Sequence, residues 1–301
     1  MNPPPPRYRG RFAPSPTGPL HFGSLVAALG SWLHARAAGG QWLLRVEDID
    51  PPREARGAAV RQLATLVAFG LEHDGEIVRQ RDRGPAYAAA LAKLLAAGDA
   101  FECRCSRTDL VPSGGLHRGC VARPGGHAAA VRLRVPDVTL GFDDAVQGRF
   151  EQQLARDVGD FVLRRADGLW AYQLAVVVDD ADAGITTVVR GADLLDSTPR
   201  QILLQRRLGL PTPAYLHLPL VLAGDGRKLS KSLHSLPLDD TDPWPALAAA
   251  WRFLGQEPSA FTRAGSPAKA LARALPAFDA RRIPAVPGIA FGADQDTTTG
   301  T

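Results

Sequence analysis

Two segments have residue types and spacing suited to holding a polyphosphate. The first is Pro14-Ser15-Pro16-Thr17-Gly18-Pro19-Leu20-His21-Phe22-Gly23, which leads from a short apolar run into a helix. A helix N-terminus presents unpaired N–H groups and a partial positive charge, and phosphate binds well there. Gly18 and Gly23 let a nucleotide approach the backbone, and His21 in the first turn offers a donor to a phosphate oxygen. The second segment is Gly224-Asp225-Gly226-Arg227-Lys228-Leu229-Ser230-Lys231-Ser232, with three cations within five positions. Lysines on such a loop can close on an α-phosphate as its charge builds. Taken singly, each segment has a plainer reading, as a strand–turn–helix with a surface histidine or as a solvated basic loop. Taken together they read as two halves of one ATP site, used to activate a carboxylic acid as its adenylate.

A second constellation is Cys103-Arg104-Cys105 followed by His117 and Cys120. Zinc in a structural site takes four thiolate or imidazole ligands, and His117 is the natural fourth. The alternative is three free thiols, since a Cys-x-Cys start is weaker than paired Cys-x-x-Cys. The expected role is structural, with no open coordination position. His34, His73, His127, His217 and His234 lack comparable context and are expected to be surface or packing residues.

These groups need a frame. Arg9 to Ala13 is a strand candidate, Leu20 to Ala38 carries helical spacing, and Gln41 to Val46 is a second strand. Arg53 to Phe69 and Pro85 to Ala97 look helical. This is the rhythm of a parallel α/β sheet. The rhythm breaks near Phe101 and returns at Ala171 to Val178, before a strand at Ile185 to Val189. Thr198-Pro199-Arg200-Gln201 offers a capping box with proline in the first helical position. Short helices are expected from Pro243 to Phe253 and from Ala268 to Leu275, with Ser266-Pro267 as a start signal.

Composition adds bounds. The chain has 301 residues and a formal charge of +4, mild enough to permit a nucleic-acid partner without arguing for one. Three clustered cysteines do not make a secreted disulfide framework. No basic-then-apolar leader opens the sequence, and no apolar run approaches a membrane span. A cytoplasmic location is expected.

The two phosphate segments resemble the signatures of class I aminoacyl-tRNA synthetases, here His21-Phe22-Gly23-Ser24 and Lys228-Leu229-Ser230-Lys231-Ser232. Ser24 and Leu229 depart from the generic pattern. Arg11-Phe12-Ala13-Pro14-Ser15-Pro16-Thr17-Gly18, Leu44-Arg45-Val46-Glu47-Asp48-Ile49-Asp50 and Arg190-Gly191-Ala192-Asp193-Leu194-Leu195-Asp196-Ser197-Thr198-Pro199-Arg200-Gln201 narrow the resemblance to glutamyl-tRNA synthetases. That resemblance implies that Arg11 and Arg190 hold carboxylates, Glu47 the ammonium, and that Tyr172 and Ser15 assist. His21, Lys228 and Lys231 would serve catalysis, and Thr17, Gly18, His21, Gly23 and Lys231 would bind ATP.

About 69 residues follow Ser232, too few for the helical anticodon-reading domain of those enzymes. The whole therefore resembles the shorter glutamyl-Q tRNA(Asp) synthetases, which transfer glutamate to queuosine in the anticodon of tRNA(Asp). A tyrosine stands shortly before the last cysteine in that family, and His117 is expected to replace it at zinc. The fold implied is α/β, a Rossmann-type parallel sheet core with an inserted zinc-containing subdomain and a short helical C-terminal part. The expected division is a disordered start at 1–7, core halves at 8–100 and 171–235, an insertion at 101–170, a helical part at 236–292 and a disordered tail at 293–301. Partners implied are L-glutamate, ATP with Mg²⁺ and queuosine-bearing tRNA(Asp), with no membrane and a monomeric chain. Rivals are a glutamyl or glutaminyl enzyme acting on the tRNA 3′ end, and a non-catalytic RNA-binding paralogue.

Overall fold

The computed structural model describes residues 7–121, 128–223 and 237–290. Strand β1 (Arg9–Phe12) lies parallel to β2 (Gln41–Val46), with Arg9 opposite Gln41, and β2 lies parallel to β3 (Val78–Arg79). Parallel neighbours need long crossovers. These are supplied by α1 (Phe22–Ala37) and α2 (Ala58–Ala68). A second parallel pair, β9 (Thr187–Gly191) and β10 (Ala214–Leu218), is joined through α6 (Thr198–Leu208). The two groups meet where the Thr186 N–H donates to the Arg9 carbonyl at 2.9 Å and the Arg9 N–H donates to Thr186 Oγ1 at 2.9 Å. The strand order β3-β2-β1-β9-β10 thus reverses between β1 and β9. In open α/β sheets ligands bind beyond the carboxyl ends of the strands at that reversal.

Helices cover both faces. On one face Leu25, Leu29 and Leu33 of α1 join Trp42, Leu218 and the buried sides of α7 (Trp244–Phe253) and α8 (Pro267–Ala274). On the other, α3 (Gly84–Ala96) and α5 (Tyr172–Asp182) pack with α6 through Tyr87, Leu94, Leu174 and Leu204. Each such fully buried large side chain contributes on the order of 1.5–3 kcal/mol. The C-terminal helices are therefore part of the core wall, with Leu247, Ala250 and Trp251 wholly buried against it. Strand β11 (Leu220–Leu222) pairs in parallel with β12 (Gly288–Ala290).

The expected insertion is divided. Strands β4 (Ala100–Cys103), β5 (Ala130–Leu133) and β8 (Phe161–Arg164) form their own antiparallel sheet. The hairpin of β6 (Thr139–Asp144) and β7 (Gly148–Gln153) instead joins the core, through the Ala145 N–H to the Tyr215 carbonyl at 3.0 Å. It covers the outer edge of β10, which would otherwise leave backbone groups unpaired. A short helix, α4 (Leu154–Asp157), follows. The helix expected from Arg53 starts only at Ala58. The Ala55 N–H donates to the Pro16 carbonyl at 2.9 Å, which draws residues 54–57 onto the Pro14–Gly18 turn before the helix begins.

Candidate active site

A cleft of about 1560 Å³ opens at the strand-order reversal, lined by Ser15, Thr17, Gly18, His21, Gly23, Glu47 and Tyr172 among others. The turn and the helix expected around Pro14–Gly23 are present. His21 is the N-cap of α1, where its Nδ1 accepts the Ser24 N–H at 3.3 Å. That bond leaves the ring proton of a neutral His21 on Nε2. The turn is held from below by Gln62, whose amide donates to the Ser15 and Gly18 carbonyls at 3.0 and 2.7 Å. A Cβ on Gly18 would meet nothing within 4 Å among the described residues. Leu220 and Val221 line the same cleft upstream of the basic loop. Lys228 and Lys231 lie outside the described residues, as do His127 and His234.

Beneath the cleft lies a buried ionic cluster. Arg11, only 4% exposed, sends Nε and Nη2 to Asp180 at 3.1 Å each. Arg45 donates to Asp180 Oδ1 at 2.6 Å and to Glu47 Oε1 at 3.1 Å. Burial would raise the Asp180 carboxyl, but the Arg11 and Arg45 charges pull it down to about 2. Burial pushes the Glu47 carboxyl up against the pull of Arg45. Tyr172 is also pushed up, by burial and then by the Glu47 charge. The residue of α5 just before Asp180, Asp179, accepts from Gln80 and Tyr87 at 2.8 Å. Arg45, Asp179 and Asp180 are functional candidates that no motif in the sequence singles out. Their signal was a pair of adjacent carboxylates ending the apolar run Leu174-Ala175-Val176-Val177-Val178.

Arg190 is 6% exposed and stands beside Gly191, which lines the cleft. Its Nε donates to His217 Nε2 at 3.0 Å and its Nη2 to Thr198 Oγ1 at 2.8 Å. Its Nη1 is buried with no hydrogen-bond partner among the described residues. Such a donor costs about 1–3 kcal/mol unless an acceptor arrives, so the arrangement fits an anionic ligand. Two expectations are corrected here. Thr198 does not cap α6: Ser197 is the N-cap, without a side-chain cap bond, and the Thr198 hydroxyl serves Arg190 instead. His217 is no incidental packing residue, being wholly buried between Arg190 and Asp144. His34, by contrast, packs as expected, stacked on Tyr8 with ring centroids 5.5 Å apart.

The ligand atoms of Cys103, Cys105, His117 and Cys120 all lie within 4.8 Å of one another. A tetrahedral zinc sets its sulfurs roughly 3.8 Å apart, so side-chain shifts of about 1 Å would close the cluster around an ion. The Cys103 sulfur and His117 Nε2 are already 3.2 Å apart. His117 Nδ1 faces Asp160 Oδ2 at 2.8 Å, the carboxylate–histidine arrangement that orients metal ligands. Asp160 escaped the sequence reading because it lies 43 positions away. The apolar cluster here is small, namely Cys103, Cys105 and Leu110 with Phe101 against them. Burial and then Cys103 push the Cys120 thiol up to about 11, so an ion bound there would have to displace a proton. Set and surroundings together fit a structural metal ion.

Residues 7–113 and 121–245 match the family described as tRNA synthetases class I (E and Q), catalytic domain. The chain is also 64% identical, over 93% of its length and 94% of the relative's, to the glutamyl-Q tRNA(Asp) synthetase of Xanthomonas oryzae pv. oryzae. The chain belongs to the glutamyl-Q tRNA(Asp) synthetase family. A member from Ectopseudomonas mendocina is 56% identical over 92% of this chain and 95% of its own. Among solved structures, the glutamate-tRNA synthetase of Elizabethkingia anophelis superposes with a TM-score of 0.80 at 25% identity, covering 95% of this chain and 68% of that one. A glutamate tRNA ligase from Elizabethkingia meningosepticum, solved with its amino acid, gives 0.79 at 24% identity, which speaks for the fold. Among the described residues of this family member, no helix is long and apolar enough to cross a membrane.

Proposed function

We propose that this chain activates L-glutamate with ATP and transfers it to queuosine in the anticodon of tRNA(Asp). The observation that carries the proposal is Arg190, with a buried, unpartnered Nη1 beneath a cleft lined by Glu47 and Tyr172. A planar guanidinium suits a carboxylate, and Glu47 suits the substrate ammonium. Arg11 would act mainly by fixing Asp180 and the floor of the site, since its Nε and Nη2 are spent there. Ser15, through its side chain or backbone, would complete the glutamate pocket.

ATP, brought with Mg²⁺, would lie on the Thr17–Gly23 turn, with His21 and the α1 N-terminus at its phosphates. The glutamate α-carboxylate attacks the α-phosphorus, a P–O bond forms, and the bond to pyrophosphate breaks. The nucleophile is already ionised, so no general base is needed. Positioning and charge stabilisation carry the step, with Lys231 assisted by Lys228. In the second step a hydroxyl of the modified nucleoside attacks the adenylate carbonyl and AMP leaves. The far wall of the cleft includes Ser106, Arg107 and Arg165, which suits an RNA backbone. Zinc held by Cys103, Cys105, His117 and Cys120 would brace that wall without entering the chemistry.

The reading is supported by 63–64% identity to named family members matched over 94% of their length. Transfer of labelled glutamate to bulk tRNA, followed by nuclease mapping, tests it. Label in the anticodon-loop fragment of tRNA(Asp) is expected, and label on the terminal adenosine would overturn the assignment.

A further inference from the structure

His217 lies outside the groups just described as touching substrate, yet its surroundings are fully determined. An arginine Nε always donates, so the bond from Arg190 Nε at 3.0 Å requires a lone pair on His217 Nε2. The proton of the neutral ring then sits on Nδ1 and is donated to Asp144 Oδ2 at 2.6 Å. Both side chains are completely buried. Asp144 is itself fixed, since its Oδ1 accepts the N–H groups of Val146, Gln147 and His217 at 3.0, 2.9 and 3.1 Å. The imidazole stacks on Tyr215 at 6.2 Å with an interplanar angle of 10°. The Arg190 guanidinium carbon lies 5.6 Å over the same Tyr215 ring. With Nε held by His217 and Nη2 by Thr198, Nη1 is the guanidinium nitrogen left with no hydrogen-bond partner among the described residues.

We infer that Asp144 and His217 form a positioning relay that aims Arg190 Nη1 at a carboxylate of the amino-acid substrate. The inference rests on the glutamate reading above and adds to it a source of selectivity. A carboxylate accepts from Nη1 whichever way it turns, whereas an amide can present its NH₂ and leave two donors facing each other. A neutral His217 suits this task because a charged ring would repel Arg190 and have no lone pair to offer. The hairpin β6–β7 therefore supplies the anchor of the site from the core edge.

Substitution of His217 in the full chain separates positioning from packing. Asn can keep a donor near Nδ1 for Asp144 but loses the acceptor for Arg190. Gln can place an oxygen near Nε2. Losing a hydrogen bond to a charged group corresponds to roughly a 10- to 100-fold change, so His217→Asn should raise the glutamate KM by that factor in pyrophosphate exchange. The ATP KM should stay within about threefold, and glutamate-over-glutamine selectivity should fall in proportion. His217→Gln should recover most of the loss. An unchanged glutamate KM in His217→Asn, or Gln no better than Asn, would overturn the relay. If neither variant folds, ¹⁵N NMR of histidine-labelled wild-type chain decides. A neutral ring protonated at Nδ1, with the Nε2 resonance shifting on saturation with glutamate, is expected. A charged ring, an Nε2-protonated ring or an unmoved Nε2 resonance refutes the relay. Wild-type chain without glutamate-dependent exchange would refute the glutamate reading itself, a distinct outcome.

Discussion

Asp180→Asn removes the anion shared by two buried guanidinium groups. Wild-type Asp180 takes Arg11 through two nitrogens at 3.1 Å and Arg45 at 2.6 Å. Removing one partner of a buried ion pair costs about 3–5 kcal/mol, because the remaining charge stays desolvated. The depressed carboxyl gives a second route to the magnitude. The carboxyl falls from the ordinary 3.8 to about 2 on folding. That difference corresponds to about 2–3 kcal/mol of stability at neutral pH. The substitution should exceed the titration figure, since the Asn amide can also point its NH₂ at an arginine. Arg45 keeps Glu47, and this moderates the loss. We therefore expect about 3 kcal/mol in urea unfolding at pH 7, with glutamate-dependent exchange reduced as Arg11 loses its anchor. The sign with pH follows from a depressed folded-state value. The advantage of wild type is complete above the unfolded value and is lost as pH falls through 3.8 toward 2. A difference below about 1 kcal/mol, or a gap that widens in acid, would refute the reasoning.

Three further outcomes follow from the same physics. Gly255 sits at φ +71°, and a Cβ there would lie 2.1 Å from the Arg282 carbonyl oxygen, so Gly255→Ala should cost at least about 3 kcal/mol in thermal or urea unfolding. The metal cluster should carry about one zinc per chain by elemental analysis. Chelation should lower the melting temperature, His117→Ala should abolish binding, and Asp160→Asn should weaken it by about 10- to 100-fold. Lys231→Ala should slow adenylate formation by about 100- to 1000-fold while barely changing the glutamate KM, read by pre-steady-state pyrophosphate release, and equal effects on both would remove Lys231 from its proposed role.

The parts legible in the sequence are those in which neighbours along the chain are also neighbours in space. The turn before α1, the bounds of β2 and the cysteine cluster all lie within short segments, and residue type announced each of them. What remained hidden joins distant segments. Asp180 meets Arg11 across 169 positions, Asp144 meets His217 across 73, and Asp160 meets His117 across 43. A lone aspartate or histidine carries no mark of its partner, so His217 passed for packing. Thr198 shows the other kind of failure. A local capping pattern was present, but a buried arginine competed for the same hydroxyl and won, because a charge-assisted bond outweighs a cap. The hairpin β6–β7 was assigned to the insertion by proximity in sequence, whereas the unpaired edge of β10 decided its place.

The junction between β1 and β9 also has a kinetic side. Arg9 and Thr186 are 177 positions apart, so the halves of the sheet cannot join until nearly two thirds of the chain exists. At a synthesis rate of about 5–20 residues per second, β1 waits roughly 10–35 s with one edge open. Such an edge is a template for aggregation unless charge blunts it. Arg9 and Arg11 sit on that strand, and their later partners Ala183 and Asp180 come from the far half. Until then the two cations repel a second copy of the same edge. Equilibrium cost is a different matter, since doubling the length of a closed loop adds only about 0.6 kcal/mol. The space between the halves can therefore accept a subdomain of almost any size at little cost in stability, with the delay falling on assembly.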